Sequence, residues 1–450
     1  MTPETEHGQA AADGIRGLRG RVVTFPPAPG WPTAVPLTVH DDGAVLWRDG
    51  RIVDVGPAGE VLGRHPAGIA ITQYDDALIL PGFIDTHIHM PQTGVIASYG
   101  AQLLDWLDRY TFPAEARFAD PEAAAAGARF FCDELLRNGT TTAVAYATVA
   151  PQSAEALFAE AAGRDMRMIA GKVMMDRNAP ESLRDTAQSA YDDSKALIAR
   201  WHGRGRLAYA VTPRFAITST PAQLDAAGTL LREHPNAYLQ THLSENRNEI
   251  AAVARLFPEA RHYTDVYARH GLLGPRSLFG HCIHLDPAEI ALLAETGSVA
   301  ALCPTSNLFI GSGLFDLAAL RDGTRPVRVA LATDVGGGTS FSMLRTLHLA
   351  YKVMQLKGLS LTGAAGFHWI TRGNADALSL GDSIGALEPG HDADCVVLDP
   401  RATPLLRHRL AAGDGSVEDV LFALMMLGDD RVVRATYVAG RRAHDRRARA

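Results

Sequence analysis

The chain has 450 residues, 47% of them hydrophobic and 21% charged, which is typical of a globular protein. Its formal net charge of -7, spread without long charged runs, argues against nucleic acid as the main partner. No apolar run reaches the ~20 residues that span a bilayer, and no apolar stretch near the N-terminus predicts a signal peptide. The four cysteines, Cys132, Cys282, Cys303 and Cys395, lie far apart, which excludes a disulfide scaffold and predicts a cytoplasmic location.

Both ends of the chain predict short β-strands. Between residues 20 and 77, short apolar runs are broken by Gly, Pro and Asp, and Asp49-Gly50 between two of them is a typical hairpin turn. From about Ser383 the same rhythm returns, with strand-like runs at 394–399 and 432–440. We therefore expect one small β-sandwich domain, built from residues 1–80 and 383–450.

Between these ends, apolar strands alternate with amphipathic helices. Counting the run that ends at His89, eight such units are expected; the other predicted strands are 140–148, 167–175, 207–215, 237–245, 277–285, 298–307 and 327–335. Predicted helices include 121–137, 180–204, 221–234, 246–256, 287–296 and 341–356. Apolar strands between helices indicate a parallel sheet, and eight units predict an α/β fold, a (β/α)8 TIM barrel, over residues 81–382. A doubly wound open sheet is the alternative, but no Gly-rich dinucleotide fingerprint follows the first strand.

Polar side chains stand at the ends of the predicted strands, where a barrel carries its functional residues. His87 and His89 end the first strand two residues apart, so their imidazoles face one side of an extended chain. Later strand ends carry 212–215, His242 with Glu245, His281 with His284, 304–307, and Asp334. Three or four imidazoles and a carboxylate on one rim predict a divalent metal site, with candidates His87, His89, His242, His281 and Asp334.

This set of side chains favours metal-assisted hydrolysis. An ion held by three His and an Asp lowers the pKa of its water to about 7. We expect Asp334 to accept a proton from that water, His281 to hold or polarise it, and Glu245 to carry a proton to a ring nitrogen and to the leaving group. Glu245 could instead be a helix N-terminal carboxylate. Lys172 is expected to be structural, and His284 stays open between packing and support of the site.

Several segments resemble the guanine deaminases of the amidohydrolase superfamily. Residues 81–89, Pro-Gly-Phe-Ile-Asp-Thr-His-Ile-His, are similar to the first-strand signature of the superfamily, and 385–397 resembles its return into the small β domain. The more specific resemblance lies in 85–92, 104–115, 136–142, 171–178, 212–216, 241–246, 303–307 and 333–334, and it extends from about residue 75 to the end of the chain. The His-Met-Pro-Gln and Pro-Arg-Phe elements are its most specific parts.

The resemblance implies a fold, a reaction and roles for residues. It implies a barrel with one Zn²⁺ per subunit (iron being the alternative metal), a homodimer, and hydrolysis of guanine to xanthine and ammonia. At matching positions the metal ligands are expected to be His87, His89, His242 and Asp334, with Glu245 as the proton carrier. The residues expected to contact the purine are Gln92, Arg214 and Phe215, together with His242, Glu245, His281 and Asp334 on the rim.

Two alternatives compete with this function. A deaminase or chlorohydrolase of the same superfamily would act on another purine, a pterin or a triazine, and a panel of substrates separates it from the first hypothesis. A catalytically silent barrel used as a binding module would be expected to lack some of the ligand residues. A cytidine-deaminase type of zinc site is disfavoured, because the chain has no His-x-Glu motif paired with Pro-Cys-x-x-Cys.

Overall fold

The computed structural model describes residues 14–29, 31–32, 35–99 and 102–449, and two sheets organise them. The strands are β1 Arg16–Thr24, β2 Thr38–Arg48, β3 Arg51–Pro57, β4 Ala70–Pro81, β5 Phe83–His89, β6 Thr140–Tyr146, β7 Arg167–Gly171, β8 Val173–Met174, β9 Leu207–Pro213, β10 Tyr238–Leu243, β11 Ser277–His281, β12 Val299–Leu302, β13 Arg328–Leu331, β14 Cys395–Leu398, β15 Val433–Val438 and β16 Arg441–Asp445. The helices are α1 Ala58–Gly63, α2 Leu103–Trp106, α3 Phe112–Ala116, α4 Pro121–Arg137, α5 Pro151–Gly163, α6 Ala187–Trp201, α7 Pro221–Glu233, α8 Arg247–Leu256, α9 Tyr263–Arg269, α10 Pro287–Thr296, α11 Pro304–Phe309, α12 Leu317–Arg321, α13 Met343–Leu356, α14 Gly363–His368, α15 Asn374–Ala377, α16 Pro404–Ala411 and α17 Val417–Leu427.

The smaller sheet joins the two ends of the chain. Its seven strands run in the order β16-β15-β14-β4-β1-β2-β3, and only the β1–β4 pair is parallel. Asp49 and Gly50 both adopt positive φ between β2 and β3, so the predicted hairpin is confirmed. The prediction that both chain ends build one β unit is also confirmed, whereas the domain bounds at 80/81 and 382/383 stay a prediction.

The second sheet is the predicted barrel. Eight parallel strands follow one another in the order β5-β6-β7-β9-β10-β11-β12-β13, and the short β8 pairs with β9. Its two edges meet where the His89 amide donates to the Val335 carbonyl at 2.8 Å and the Asp334 amide donates to the His87 carbonyl at 2.9 Å. The first and last strands are therefore joined directly beside the candidate ligands.

The barrel interior is packed. One buried apolar cluster takes a side chain from every strand of the barrel and is continued by residues of the α15 region: Ile84, Val144, Ile169, Ala210, Tyr238, Leu278, Val299, Ala330, Ala375 and Leu378. Because side chains fill the barrel, ligands can enter only at its rim. None of the helices in the described ranges has both the length and the apolar composition needed to cross a bilayer.

Local sequence explains where most barrel helices begin. Pro287 opens α10, and the Asp286 side chain accepts hydrogen bonds from the first-turn amides of that helix. Two predicted boundaries were wrong because they missed the residues at which a helix begins. Residues 304–307 begin α11 with Pro304 in its first turn instead of extending β12, and the helix predicted from residue 180 starts at Ala187 after the Thr186 cap.

Candidate functional site

His87 and His89 lie side by side at the end of β5. Both are buried, and their Nε2 atoms are 3.3 Å apart. On β11, which is not paired with β5, a Cβ at Gly280 would come within 2.5 Å of the His87 ring, so that close approach across the barrel requires glycine. The two-residue spacing predicted paired imidazoles, and the structure places the rings together.

His242 and Asp334 complete the group. The Nδ1 of His242 donates to the Arg214 carbonyl at 2.7 Å, which leaves Nε2 with its lone pair. The Asp334 Oδ1 lies 3.2 Å from the Nε2 of His89 and 3.5 Å from that of His87. Possible ligand atoms of His87, His89 and His242 lie within 4.8 Å of one another.

The protonation states of these residues suit a divalent metal. Burial lowers the pKa of His89 to about 3 and, with neighbouring imidazoles, holds that of His242 well below its usual value. Burial opposes ionisation of Asp334, but hydrogen bonds with His87 and His89 outweigh it and hold the Asp334 pKa well below its usual range. Neutral imidazoles beside an ionised carboxylate form a donor set that fits zinc or iron.

Cys303 is the neighbour that sequence reasoning did not consider at this site. Its sulfur lies within 4.8 Å of possible ligand atoms on His87, His281 and Asp334. Burial raises the pKa of the Cys303 thiol well above its usual value, and the thiol donates to the Ala301 carbonyl at 3.4 Å. Because the thiolate is the form that binds metals, Cys303 fits a packing role better than a ligand role.

His281 and Glu245 stand beside the ligand group. The Nε2 of His281 lies 3.3 Å from the Glu245 Oε2 and 3.7 Å from the Asp334 Oδ2. The other Glu245 oxygen accepts a hydrogen bond from the Ser312 hydroxyl at 3.0 Å. Burial and the nearby Asp334 carboxylate raise the pKa of Glu245 to about 8, so this side chain can take up and release a proton near neutral pH.

The helix after Glu245 does not use this side chain as a cap. The Glu249 carboxylate instead accepts hydrogen bonds from the Glu245 and Asn246 amides at 2.9 and 3.0 Å. The interpretation of Glu245 as a plain helix N-terminal carboxylate is therefore not what the contacts show. Its side chain is left to face the cavity.

A cavity with about 400 Å³ of empty space, part of it open to solvent, lies beside the ligand group. Its walls are formed by His89, Gln92, Leu103, Trp106, Leu107, Arg214, Phe215, His242, Glu245, His281, Ser306, Ile310, Asp334 and Gly337. Trp106 lines the wall together with Leu103 and Leu107 of the same helical segment.

Gln92 and Arg214 share a buried partner that the sequence analysis did not single out. Glu115 accepts a hydrogen bond from the Gln92 Nε2 at 3.0 Å and is bound by the Arg214 Nη1 at 2.7 and 2.8 Å. The only signal for it was its place at the end of the 104–115 segment that carried the family resemblance. A glutamate on an irregular helix has no spacing that marks it as part of a site.

Lys172 and His284, the remaining candidates, make contacts that support the fold. Lys172 is fully buried and donates to Asp185 at 2.7 Å, away from the ligand group, as expected. The Nε2 of His284 donates to the Ser312 carbonyl at 2.9 Å. His284 thus supports the segment whose hydroxyl contacts Glu245, which resolves the open alternative in favour of support.

Known proteins resemble this chain over nearly its whole length. The Amidohydrolase family model matches residues 78–443. Guanine deaminase of Escherichia coli is 49% identical over 412 residues, covering 91% of this chain and 93% of that protein. Probable guanine deaminase of Deinococcus radiodurans is 42% identical over 421 residues, covering 92% and 95%.

Solved structures agree. The structure of E. coli guanine deaminase superposes with a TM-score of 0.92 at 47% identity and covers 96% of this chain and 100% of its own. An adenosine deaminase from Xanthomonas campestris with bound zinc has a TM-score of 0.81 at 25% identity, covering 96% and 93%.

Proposed function

The chain belongs to the amidohydrolase family, and on that premise we propose that it hydrolyses guanine to xanthine and ammonia. The reaction replaces the exocyclic amine at C2 with oxygen from water. One arrangement carries the proposal. A single cavity brings the His89, His242 and Asp334 side chains together with Gln92 and Arg214, which offer the polar contacts a purine needs. Identity of 49% to a guanine deaminase supports this substrate over another ring.

We assign the metal ligands to His87, His89, His242 and Asp334. When bound, a divalent ion at these four side chains acts as a Lewis acid that brings the pKa of water to about 7. One Zn²⁺ per subunit is proposed, with iron as the alternative. The neutral imidazoles and ionised carboxylate support it, as does the zinc in the X. campestris structure.

Asp334 and His281 handle the attacking water. The Asp334 carboxylate lines the cavity in its ionised form, so it is placed to accept a proton from the attacking water. The Nε2 of His281 lies between the Asp334 and Glu245 carboxylates, so it can hold the same water by a hydrogen bond. These two side chains orient the attack on the ring carbon.

Glu245 moves the second proton. Its carboxylate lines the cavity and is held by Ser312 on one oxygen, which leaves the other to face the reacting ring. A pKa raised to about 8 lets Glu245 give its own proton to a ring nitrogen. The carboxylate then takes the proton of the added hydroxyl group and passes it to the departing amine, and the proton held by Asp334 restores Glu245. Phe215 lines the same cavity and offers an aromatic surface to the base.

The assembly and the cellular location remain predictions of this proposal. A homodimer is expected, and light scattering after gel filtration measures it. A cytoplasmic location is consistent with four buried cysteines that form no disulfide. The partner is a small-molecule purine.

A spectrophotometric assay tests the function. Zinc-loaded protein should convert guanine to xanthine, with ammonia released in equal amount, whereas adenine, a pterin and a triazine should react much more slowly. Metal analysis of the same sample should give about one ion per chain. An absence of guanine turnover together with rapid turnover of another ring would contradict the proposal. An absence of turnover on every ring would favour the silent binding module.

A further inference from the structure

Glu115 is buried in the wall of the cavity without lining it. The residue is 1% exposed and lies in α3, and the hydrogen bonds of its side chain go to Gln92 and Arg214. Two purine contacts therefore depend on one carboxylate that has no contact with the ligand space. This arrangement makes Glu115 a candidate for setting how both side chains are presented.

The Gln92 amide can lie in only one direction. An ionised carboxylate accepts hydrogen bonds and cannot donate them, so the Gln92 nitrogen must face Glu115 at 3.0 Å. A reversed amide would place its oxygen against the carboxylate. Glu115 thus puts the Gln92 Oε1 on the side away from itself, as a hydrogen-bond acceptor.

Gly336 closes the other side of the same amide. A Cβ at this position would lie 2.4 Å from the Gln92 Cβ and 2.6 Å from its Oε1. The side chain is thus confined between a glycine and a carboxylate, so its direction cannot be changed by rotation of the whole group. Confinement of this kind holds a recognition group in its working geometry before a ligand arrives.

Arg214 is fixed by the same helix. Its Nη1 binds both oxygens of Glu115, and the guanidinium carbon lies 5.6 Å from the centre of the Phe112 ring, one turn earlier in α3. Glu115 neutralises the arginine charge and occupies one of its nitrogens. The other guanidinium N–H groups can donate to a ligand.

We propose that Glu115 is a positioning residue that makes the cavity selective for a ring edge with an N–H beside a carbonyl. The acceptor of Gln92 takes the N–H, and the donors of Arg214 take the carbonyl oxygen. The inference rests on the proposed function, since guanine has such an edge at N1 and C6. The inference predicts that the cavity binds poorly those rings that present a ring nitrogen without hydrogen and a C–H in place of the N–H and the carbonyl.

Binding of two unreactive purines tests the inference. Hypoxanthine has the N–H and the carbonyl, whereas the unsubstituted compound purine lacks both. Neither of them has an amine to release. By calorimetry, the protein should bind hypoxanthine at least about tenfold more tightly than purine, because a mismatched hydrogen-bond edge leaves buried polar groups unpaired. Glu115→Gln should reduce this ratio to about threefold or less, since the new amide accepts both directions of Gln92.

Two further variants separate positioning from stability. The matched control Glu122→Gln removes an exposed carboxylate from α4 and should keep the full ratio. The double variant Gln92→Glu with Glu115→Gln exchanges the two side chains, so the group at 92 can only accept and the preference for hypoxanthine should return. If Glu115→Gln does not fold, this double variant decides alone.

Each outcome bears on one proposal only. A full hypoxanthine preference in Glu115→Gln, or no preference in a folded double variant, would overturn the positioning role. Wild-type protein that binds hypoxanthine selectively but fails to hydrolyse guanine would leave the positioning role standing and overturn the proposed function.

Discussion

The Nδ1 of His281 donates a hydrogen bond to the side-chain oxygen of Asn307 at 2.8 Å. Because an amide oxygen only accepts, this bond places the imidazole hydrogen on Nδ1 and leaves the lone pair of Nε2 towards Glu245 and Asp334. Asn307 belongs to α11, the helix that the sequence analysis had assigned to the end of a strand. The tautomer of His281 is therefore set from the neighbouring strand–helix unit.

Asn307→Ala should lower kcat for guanine by about 10- to 100-fold, the usual cost of losing a group that orients a site histidine. The KM should change much less, because Asn307 does not line the cavity. Steady-state kinetics and metal analysis check both points, with exposed Asn248→Ala as the control. Loss of the metal along with activity would mean that His281 serves as a ligand and not as a water-holding group.

The placement of polar residues at the ends of barrel strands explains how much of this site could be predicted from the sequence. Parallel strands of a barrel deliver their C-terminal ends to one rim, so polar residues at those ends converge even when hundreds of positions separate them. His87, His89, His242, His281 and Asp334 were chosen on that ground, and the structure brings them together. Their roles as ligands still await the metal analysis.

The backbone at those strand ends could not be predicted. His281, Cys282, Asp334 and Ser244 all have positive φ, which side-chain-bearing residues rarely adopt. Glycine usually marks such a position in a sequence, and none stands here. Strained backbone at a rim is typical of functional sites, and it depends on the surrounding barrel, which a single sequence does not display.

Glu245→Gln should reduce guanine turnover by a factor of about 10² to 10⁴, because the amide keeps the shape of the side chain but cannot carry a proton. The metal content should remain at the wild-type level, since Glu245 contacts His281 and Ser312 and is absent from the proposed ligand set. The exposed Glu259→Gln is the matched control. Wild-type turnover in Glu245→Gln would remove the proposed proton carrier from the mechanism.

Thr333→Val should destabilise the protein by about 1–3 kcal/mol by leaving a buried charged acceptor without one partner. The Thr333 hydroxyl and amide donate to Asp85 at 2.5 and 3.1 Å, and these bonds join β5 to the segment after β13. Urea unfolding of the metal-free protein measures the effect. Thr229→Val, whose hydroxyl bonds only within its own helix, should be nearly neutral; an equal loss in both variants would show that the barrel junction is not what Thr333 supports.

Arg206→Met should cost about 3–5 kcal/mol, the usual effect of removing one partner from a buried ion pair. The Arg206 Nη1 lies 2.9 Å from Asp392 and 2.8 Å from Asp394, and both carboxylates are at most 5% exposed. Asp392 keeps two partners, Arg167 at 2.7 Å and Arg51 at 2.9 Å. The loss therefore falls mainly on Asp394. Exposed Arg255→Met is the control for loss of a positive charge.

The loss of unfolding free energy caused by Arg206→Met should also depend on pH. The ionisation of Asp394 determines whether this loss is larger at high or at low pH. Burial raises the pKa of Asp394 even in the intact protein, where Arg206 opposes that shift, so removal of the arginine raises it further. When the pKa of a carboxyl group is higher in the folded than in the unfolded state, folding takes up a proton. The stability that this group contributes is then lost as the pH rises through its folded-state pKa. Unfolding experiments should therefore give a larger deficit at pH 8 than at pH 5. A deficit that grows on acidification would show that neither carboxyl accounts for the loss, because removing Arg206 raises the pKa of both Asp392 and Asp394.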